Sequence, residues 1–293
     1  MNFIIVIVSW NTKDLLRDCL RSVFLELANA QLMAKVFVVD NNSADGSAQM
    51  VREDFPNVKL IANSENLGFA AANNQVLLHY PAPFYLILNP DTEVLPGAFQ
   101  TLLKFMESHP KAGIVAPQLL NSDRSIQRSC RSFPTISGMT FALLGLKSFR
   151  GKKIGNYLML DFDHKSTSQV DQPEGACLLV RGEIVEKLDA FDERFFMLFE
   201  EVDWCYRIKQ AGYEIWFNPE AQIIHHYGQS IKQVKAKMIY YSHRSFYLYI
   251  TKHPSSVLLF IFKPLLYCGL MVLAGLRIVA YLIRSKIVKF NHS

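Results

Sequence analysis

The chain has 293 residues, half of them hydrophobic and 19% charged, with a net charge of +5. That length and apolar content support a large folded core and exclude a disordered polymer. Five cysteines (Cys19, Cys130, Cys177, Cys205, Cys268), odd in number and with no CxxC pair, argue against a disulfide framework or zinc cluster and for a reducing compartment.

Elements alternate from the start. Phe3–Val8 is a continuous apolar run of the kind that forms a central parallel strand. No basic segment precedes it and no cleavage-like site follows, a poor match to a signal peptide, so the main body is expected in the cytosol. Thr12 is placed to cap a helix with Leu15, Leu16, Cys19, Leu20 and Val23 at helical spacing. A strand at Lys35–Val39, a turn-rich loop, a helix from Ser47 to about Phe55 and a strand at Val58–Ala62 follow. Next come a helix at Phe69–His79, a strand at Phe84–Leu88 and a helix entered at Pro96 and running to about His109. Four β-α repeats imply a doubly wound α/β sheet with right-handed crossovers. From Asn121 to Gln172 the pattern dissolves; it resumes with a strand at Ala176–Val180 and a helix at Glu183–Leu188. Two short strands, Ile215–Asn218 and Ala221–Ile224, flank Pro219.

Two of these strands run into a carboxylate, Asp40 and, through Asn89-Pro90, Asp91. Ligands of open α/β sheets collect beyond the carboxyl ends of parallel strands. Acids there are costly unless satisfied, so the pair points to a nucleotide diphosphate with a metal ion.

Charge is unevenly spread. Residues 1–220 hold 21 basic and 26 acidic side chains, whereas no Asp or Glu follows Glu220 and ten Lys or Arg do. The basic tail is also apolar, in the runs Val257–Phe262 and Leu265–Leu276. Three readings compete: an interfacial helix pair on anionic lipid, a true span or re-entrant hairpin in which Leu265–Ile283 contains Arg277 and Pro264 parts it from the run before, and a helix buried on the main body. Long aliphatic runs between the cations argue against nucleic acid.

Six segments in order carry a resemblance: Ile7-Val8-Ser9-Trp10-Asn11, Val39-Asp40-Asn41-Asn42-Ser43-Ala44-Asp45-Gly46-Ser47, Asn66-Leu67-Gly68-Phe69-Ala70-Ala71-Ala72-Asn73, Leu88-Asn89-Pro90-Asp91-Thr92-Glu93, Gly175-Ala176-Cys177-Leu178-Leu179-Val180-Arg181 and Phe199-Glu200-Glu201-Val202-Asp203-Trp204-Cys205. Over roughly residues 3–230 the chain resembles glycosyltransferase family 2, most closely its bacterial rhamnosyltransferase-like branch. The resemblance implies an A-type glycosyltransferase fold in one domain, residues 1–230; the basic apolar segment, residues 231–293, is expected from its composition to be helical and to attach to membrane. It implies an inverting, metal-dependent transfer of a sugar, rhamnose in that branch, from a dTDP- or UDP-sugar to a cell-surface or lipid-linked glycan. The expected place is the cytoplasmic face of the plasma membrane, peripheral or monotopic.

Roles carry over by position. Asp40 matches the acid that accepts the pyrimidine imide N–H, its rival role being to cap the Asn41–Gly46 turn. Trp10 lies where an aromatic packs on the base, unless it faces the core. Ser9, Asn11, Asn66, Gly68 and Asn73 fall in donor-lining segments, Asn66 and Asn73 equally readable as turn and helix-surface residues. Asp91 matches the last acid of a metal signature whose first position is here Asn89, so Mg²⁺ or Mn²⁺ rests mainly on Asp91. Glu201 is the expected base, with Asp203 orienting it or capping its helix; acids at helix starts also serve as dipole partners. His225 is the expected further metal ligand, because adjacent histidines on a strand point to opposite faces and only one can ligate. Gly175 lets backbone approach the donor sugar. A dehydrogenase would need GxGxxG where residues 8–13 read Val-Ser-Trp-Asn-Thr-Lys. A non-catalytic sugar-nucleotide-binding or scaffold protein of the same fold is the remaining rival, supported by Glu200-Glu201 in place of Glu-Asp.

Overall fold

The computed structural model describes residues 2–135, 157–226, 234–254 and 261–290. In chain order the elements are β1 (Asn2–Ser9), α1 (Lys13–Asn29), β2 (Met33–Asp40), α2 (Ser47–Asp54), β3 (Lys59–Ala62), α3 (Phe69–Leu77) and β4 (Phe84–Leu88). Then come β5 (Thr92–Val94), α4 (Ala98–Ser108), β6 (Ala112–Leu120), β7 (Cys130–Arg131), β8 (Ser168–Gln169), β9 (Gln172–Pro173) and β10 (Cys177–Arg181). The chain continues through α5 (Gly182–Leu188), α6 (Glu200–Gln210), β11 (Glu214–His225), α7 (Lys235–Lys252) and α8 (Lys263–Phe290).

The main sheet has the order β3-β2-β1-β4-β10-β6-β11-β5, with β8 added to β11, while β7 and β9 pair separately. Its first half, β3-β2-β1-β4, is parallel, as the β-α repeats dictate. The late strand β10 inserts antiparallel between β4 and β6. This arrangement aligns the carboxyl ends of β1, β2 and β4, so Ser9, Asp40 and Leu88 finish along one edge.

Apolar side chains cover both sheet faces. One core packs Leu16, Leu20 and Val23 of α1 and Phe99, Leu102 and Met106 of α4 against the sheet. The other packs Ala70, Ala72 and Val76 of α3, Ile184 of α5 and Trp204 and Ile208 of α6 against it. A third cluster joins Phe199 and Val202 to Phe246, Tyr249 and Ile250 of α7 and Leu270 of α8. Helix α7 is thereby packed into the body; a domain boundary at 230–231 lies outside the described residues.

Several local expectations are corrected. Thr12 precedes α1 but makes no capping bond; its hydroxyl sits 3.0 Å from the Ser9 hydroxyl instead. The two short strands around Pro219 are one strand, β11, whose pairing with β6 slips between Asn218 and Gln222 where proline cannot donate to the ladder. Strand β6, fully buried, lies where no element was read. Pro264, by contrast, stands at the start of α8 ahead of Leu265–Leu276, as expected of a residue that parts this run from the one before. Of the apolar run Val257–Phe262, residues 257–260 lie outside the described residues, as do 136–156 and 227–233.

Candidate active site

At the carboxyl edge of the sheet a cavity of about 440 Å³ opens, lined by Trp10, Asn41, Asn66, Gly68, Asn89, Asp91, Glu174, Gly175, Glu200, Glu201 and His225, with α7 closing one side. Of the expected site residues, Trp10, Asn66, Gly68, Asn89, Asp91, Gly175, Glu201 and His225 line it.

The β1 and β2 ends are cross-braced. Asn11 N–H donates to Ser43 Oγ at 2.9 Å, and Asn11 Oδ1 accepts from Ala44 N–H at 2.8 Å. Asn11, in the left-handed region at φ 53°, thus ties one loop to the other and is absent from the cavity lining. Ser9 is fully buried against Thr12. Asp40 is 3% exposed; its Oδ2 accepts Ser43 N–H at 2.9 Å, while Oδ1 has no hydrogen-bond partner. Asp40 is absent from the cavity lining, and its orphaned carboxylate oxygen is costly unless a donor meets it.

The Asn66 loop is held by geometry. Asn66 Oδ1 accepts Gly68 N–H at 2.9 Å. Gly68 sits at φ 84°, ψ 178°, a region essentially reserved for glycine, and a Cβ there would stand 2.3 Å from Phe196 O. Asn41, not singled out by sequence, donates through Nδ2 to Gly68 O at 3.0 Å and lines the cavity. Asn73 does not line it: fully buried in α3, it donates to Phe69 O at 2.9 Å and stabilises the helix.

Asp91 and His225 come together across β5 and β11. His225 pairs with Thr92 in the ladder, and its Nε2 lies 3.4 Å from Asp91 Oδ1. Its Nδ1 is 2.8 Å from Gln127 Oε1, so a proton on Nδ1 donates to the amide and leaves the Nε2 lone pair toward Asp91. His226 points the other way, between Glu93 Oε1 at 2.6 Å and Ser122 Oγ at 2.8 Å. A carboxylate and an imidazole suit Mg²⁺ or Mn²⁺ when diphosphate oxygens and water complete the shell. Among the described residues no three His, Cys, Asp or Glu side chains form a cage of their own. The two-donor set therefore fits a substrate-bridging ion better than a structural one.

The acids opposite ride on α6. Leu198 and Phe199 both take left-handed conformations, φ 68° and 70°, immediately before that helix. Such strain, of order 1–3 kcal/mol per residue, persists only where packing enforces it. Here Phe199 is wedged with its ring centre 6.0 Å from Phe246 and 5.8 Å from Tyr249, both on α7. The bend delivers Glu200 and Glu201 to the cavity, each with a buried Oε2 that has no hydrogen-bond partner. Burial, reinforced by Glu174, pushes the Glu201 carboxyl up to about 7. Burial and the adjacent Glu201 raise Glu200 well above the usual range. Gly175 lies against Glu201: a Cβ there would meet Glu201 Cβ and Cγ at 3.5 Å. Glu174, missed by sequence reading, is pushed up mainly by burial.

Asp203 is brought elsewhere. Fully buried, it faces Arg207 Nε at 2.9 Å, Lys252 Nζ at 2.8 Å and His253 Nε2 at 2.7 Å. It is absent from the cavity lining, so it contacts no reacting atom there; two positions along the helix, over half a turn, separate Glu201 from Asp203.

A family model described as glycosyl transferase family 2 matches residues 4–157. The chain is 30% identical over 232 residues to the N-acetylglucosaminyl-diphospho-decaprenol L-rhamnosyltransferase of Mycobacterium tuberculosis, covering 75% of each. It is 24% identical over 257 residues to the rhamnosyltransferase WbbL of Escherichia coli, covering 85% of this chain and 92% of that one. Among solved structures, the mannosyltransferase PcManGT from Pyrobaculum calidifontis, in complex with GDP-Man and Mn²⁺, matches with a TM-score of 0.57 at 16% identity. That match covers 98% of this chain and 80% of the other. TarS of S. aureus matches with a TM-score of 0.54 at 14% identity, over 87% and 73%. The fold shared with these structures is the A-type glycosyltransferase fold.

Proposed function

The chain belongs to glycosyltransferase family 2, and from that premise we propose that it transfers a rhamnosyl group, with inversion, from a nucleoside diphosphate sugar to a lipid-linked glycan. The donor would be dTDP-rhamnose, the acceptor a sugar carried on a polyprenyl diphosphate, and the place the cytoplasmic face of the plasma membrane. The observation that carries this reading is the convergence of Asp91, His225 and Glu201 on one cavity.

Asp40 Oδ1 receives the base imide N–H and Trp10 packs against the ring. Glu201 accepts the proton of the incoming hydroxyl as its oxygen bonds to the anomeric carbon and the carbon–oxygen bond to the diphosphate breaks. Asp91 and His225 Nε2 would hold Mg²⁺ or Mn²⁺, which supplies positive charge for the leaving diphosphate. Gln127 keeps His225 in the ligating tautomer.

Membrane attachment rests on α8. Residues Lys263–Ser285 are long and apolar enough to cross a membrane. One face packs inward, with Leu270 at 8% and Ala274 at 1% exposure, while Leu265, Val272 and Leu276 on the opposite face are 64–70% exposed. An exposed apolar stripe on a helix that begins at Lys263 and carries Arg284 near its end suits attachment to a lipid surface, and a membrane-borne acceptor then shares that surface with the enzyme. The test is release of dTDP from dTDP-rhamnose by the full-length protein with Mn²⁺ and a synthetic polyprenyl-diphosphate glycan. No release with that or any other nucleotide sugar tried, or equal release by Glu201→Gln, would overturn the reading.

A further inference from the structure

Helix α7 contributes a wall that the donor-side residues do not explain. Val234, Met238 and Tyr241 recur at helical spacing toward the cavity, and Lys237 lines it beside them. Phe196 stacks on Tyr241 with ring centres 4.6 Å apart and planes 19° apart. Two further bonds fix this wall: Arg244 donates to Arg194 O at 2.8 Å and Ser245 to Met197 O at 3.1 Å. The side facing the donor edge is hydrogen-bonding and acidic; the α7 side is apolar with one cation.

Charge narrows the ligand further. Among the described residues lining the cavity, four are carboxylates (Asp91, Glu174, Glu200, Glu201) and Lys237 is the single Lys or Arg. A second anionic group entering beside the donor would be repelled by those acids unless a cation met it. Lys237 is that cation, and it comes from a different element than the Asp91–His225 pair.

The exit is consistent. Helices α7 and α8 run antiparallel: Tyr247 packs on Tyr267 at 5.1 Å, and Lys235 Nζ lies 5.3 Å over the Tyr281 ring. The cavity-lining start of α7 is therefore beside the last third of α8, whose outer face carries exposed Val279 and Ile283.

Resting on the transferase reading above, we propose that the α7 wall is the acceptor subsite for a diphosphate joined to a hydrocarbon chain. Lys237 takes the diphosphate, and Val234, Met238 and Tyr241 take the first hydrocarbon units. Lys237 is a specificity residue for the acceptor, separate from the donor diphosphate site.

The test is calorimetric binding of farnesyl diphosphate, farnesol and inorganic pyrophosphate to the full-length protein saturated with dTDP and Mn²⁺. Farnesyl diphosphate is expected to bind at least about tenfold tighter than either fragment. Lys237→Ala should weaken it about tenfold, and Lys237→Arg should retain most of the affinity; Lys237 is exposed, so both variants should fold. Unchanged binding in Lys237→Ala overturns the proposal. So does farnesyl diphosphate that binds only when dTDP is left out, which would put Lys237 on the donor, or pyrophosphate binding as tightly as farnesyl diphosphate. Nucleotide release by the unaltered protein is read separately. Lys237-dependent binding without turnover keeps the subsite and sinks the reaction; turnover without that dependence does the reverse.

Discussion

Lys252 Nζ lies 2.8 Å from the carboxylate of Asp203, joining the last turn of α7 to the first turn of the helix that carries Glu201. With Arg207 and His253 it surrounds a carboxylate that has no access to water. Removing Lys252 as alanine leaves Asp203 short of one charged donor, and stability should fall by about 1–3 kcal/mol. Burial alone would raise the Asp203 carboxyl, but the contacts with His253, Lys252 and Arg207 outweigh it and hold it below the usual range. A carboxylate depressed in the folded state contributes stability that is complete above its unfolded value, roughly 3.9, and lost as pH falls through the folded one. Urea midpoints measured from pH 6 downward should therefore fall less steeply in acid for Lys252→Ala than for the native chain.

Turnover should report the ionisation of Glu201. A base must be unprotonated, so kcat/KM should rise with pH through a value near 7, where burial and then Glu174 have moved the carboxyl. Glu174→Gln removes the neighbouring negative charge and should shift that rising limb to lower pH. Glu201→Gln should cost about 10²–10⁴ in turnover with donor binding retained. A pH profile of all three proteins checks the set; an unmoved limb in Glu174→Gln counts against the coupling.

Metal affinity should depend on a residue that is not a ligand. Gln127→Leu keeps the bulk of the side chain but removes the acceptor that fixes His225 Nδ1. Mn²⁺ affinity, followed by electron paramagnetic resonance in the presence of dTDP, should drop about 10- to 100-fold. Asp91→Asn should lose more, and EDTA should stop turnover in the native protein.

Gly68→Ala should disturb both stability and the donor pocket. The new Cβ meets the Phe196 carbonyl, which already accepts Phe69 N–H at 2.8 Å, and the backbone there is one that only glycine adopts easily. A loss above about 2 kcal/mol is expected, seen as a lower denaturant midpoint together with weaker dTDP binding.

Leu276→Asp or Val279→Asp should weaken sedimentation with anionic vesicles while leaving thermal stability nearly unchanged, because both side chains are more than half exposed. A large drop in melting temperature without a change in vesicle binding would mean that protein rather than lipid covers this face.

Continuous apolar runs make β1, β2 and β4 legible, and β4 has the expected bounds, Phe84–Leu88. The acids at their ends locate the cavity for the same reason: a parallel strand presents its last residue to the shared edge. What escapes a linear reading is tertiary. Nothing local to Cys177–Arg181 says that it will lie antiparallel between β4 and β6. Gln127 sits in a stretch without periodicity, and Glu174 is one residue ahead of the glycine that attracts notice. Asn73 and Asp203 mislead because they stand in segments that carry the family resemblance, whereas here Asn73 satisfies a helix carbonyl and Asp203 meets Arg207, Lys252 and His253. Lys237 stands in a tail legible only as basic and apolar until packing brings its first turns to the cavity.

Because β10 is wedged between two strands made long before it, the nascent chain carries facing open edges on β4 and β6 until about residue 181 has left the ribosome, and the far edge of β6 stays open until β11 follows. Unpaired buried edges invite pairing between chains, so a ribosome stalled before that point would release aggregation-prone fragments, and synthesis speed between β6 and β10 becomes a determinant of soluble yield.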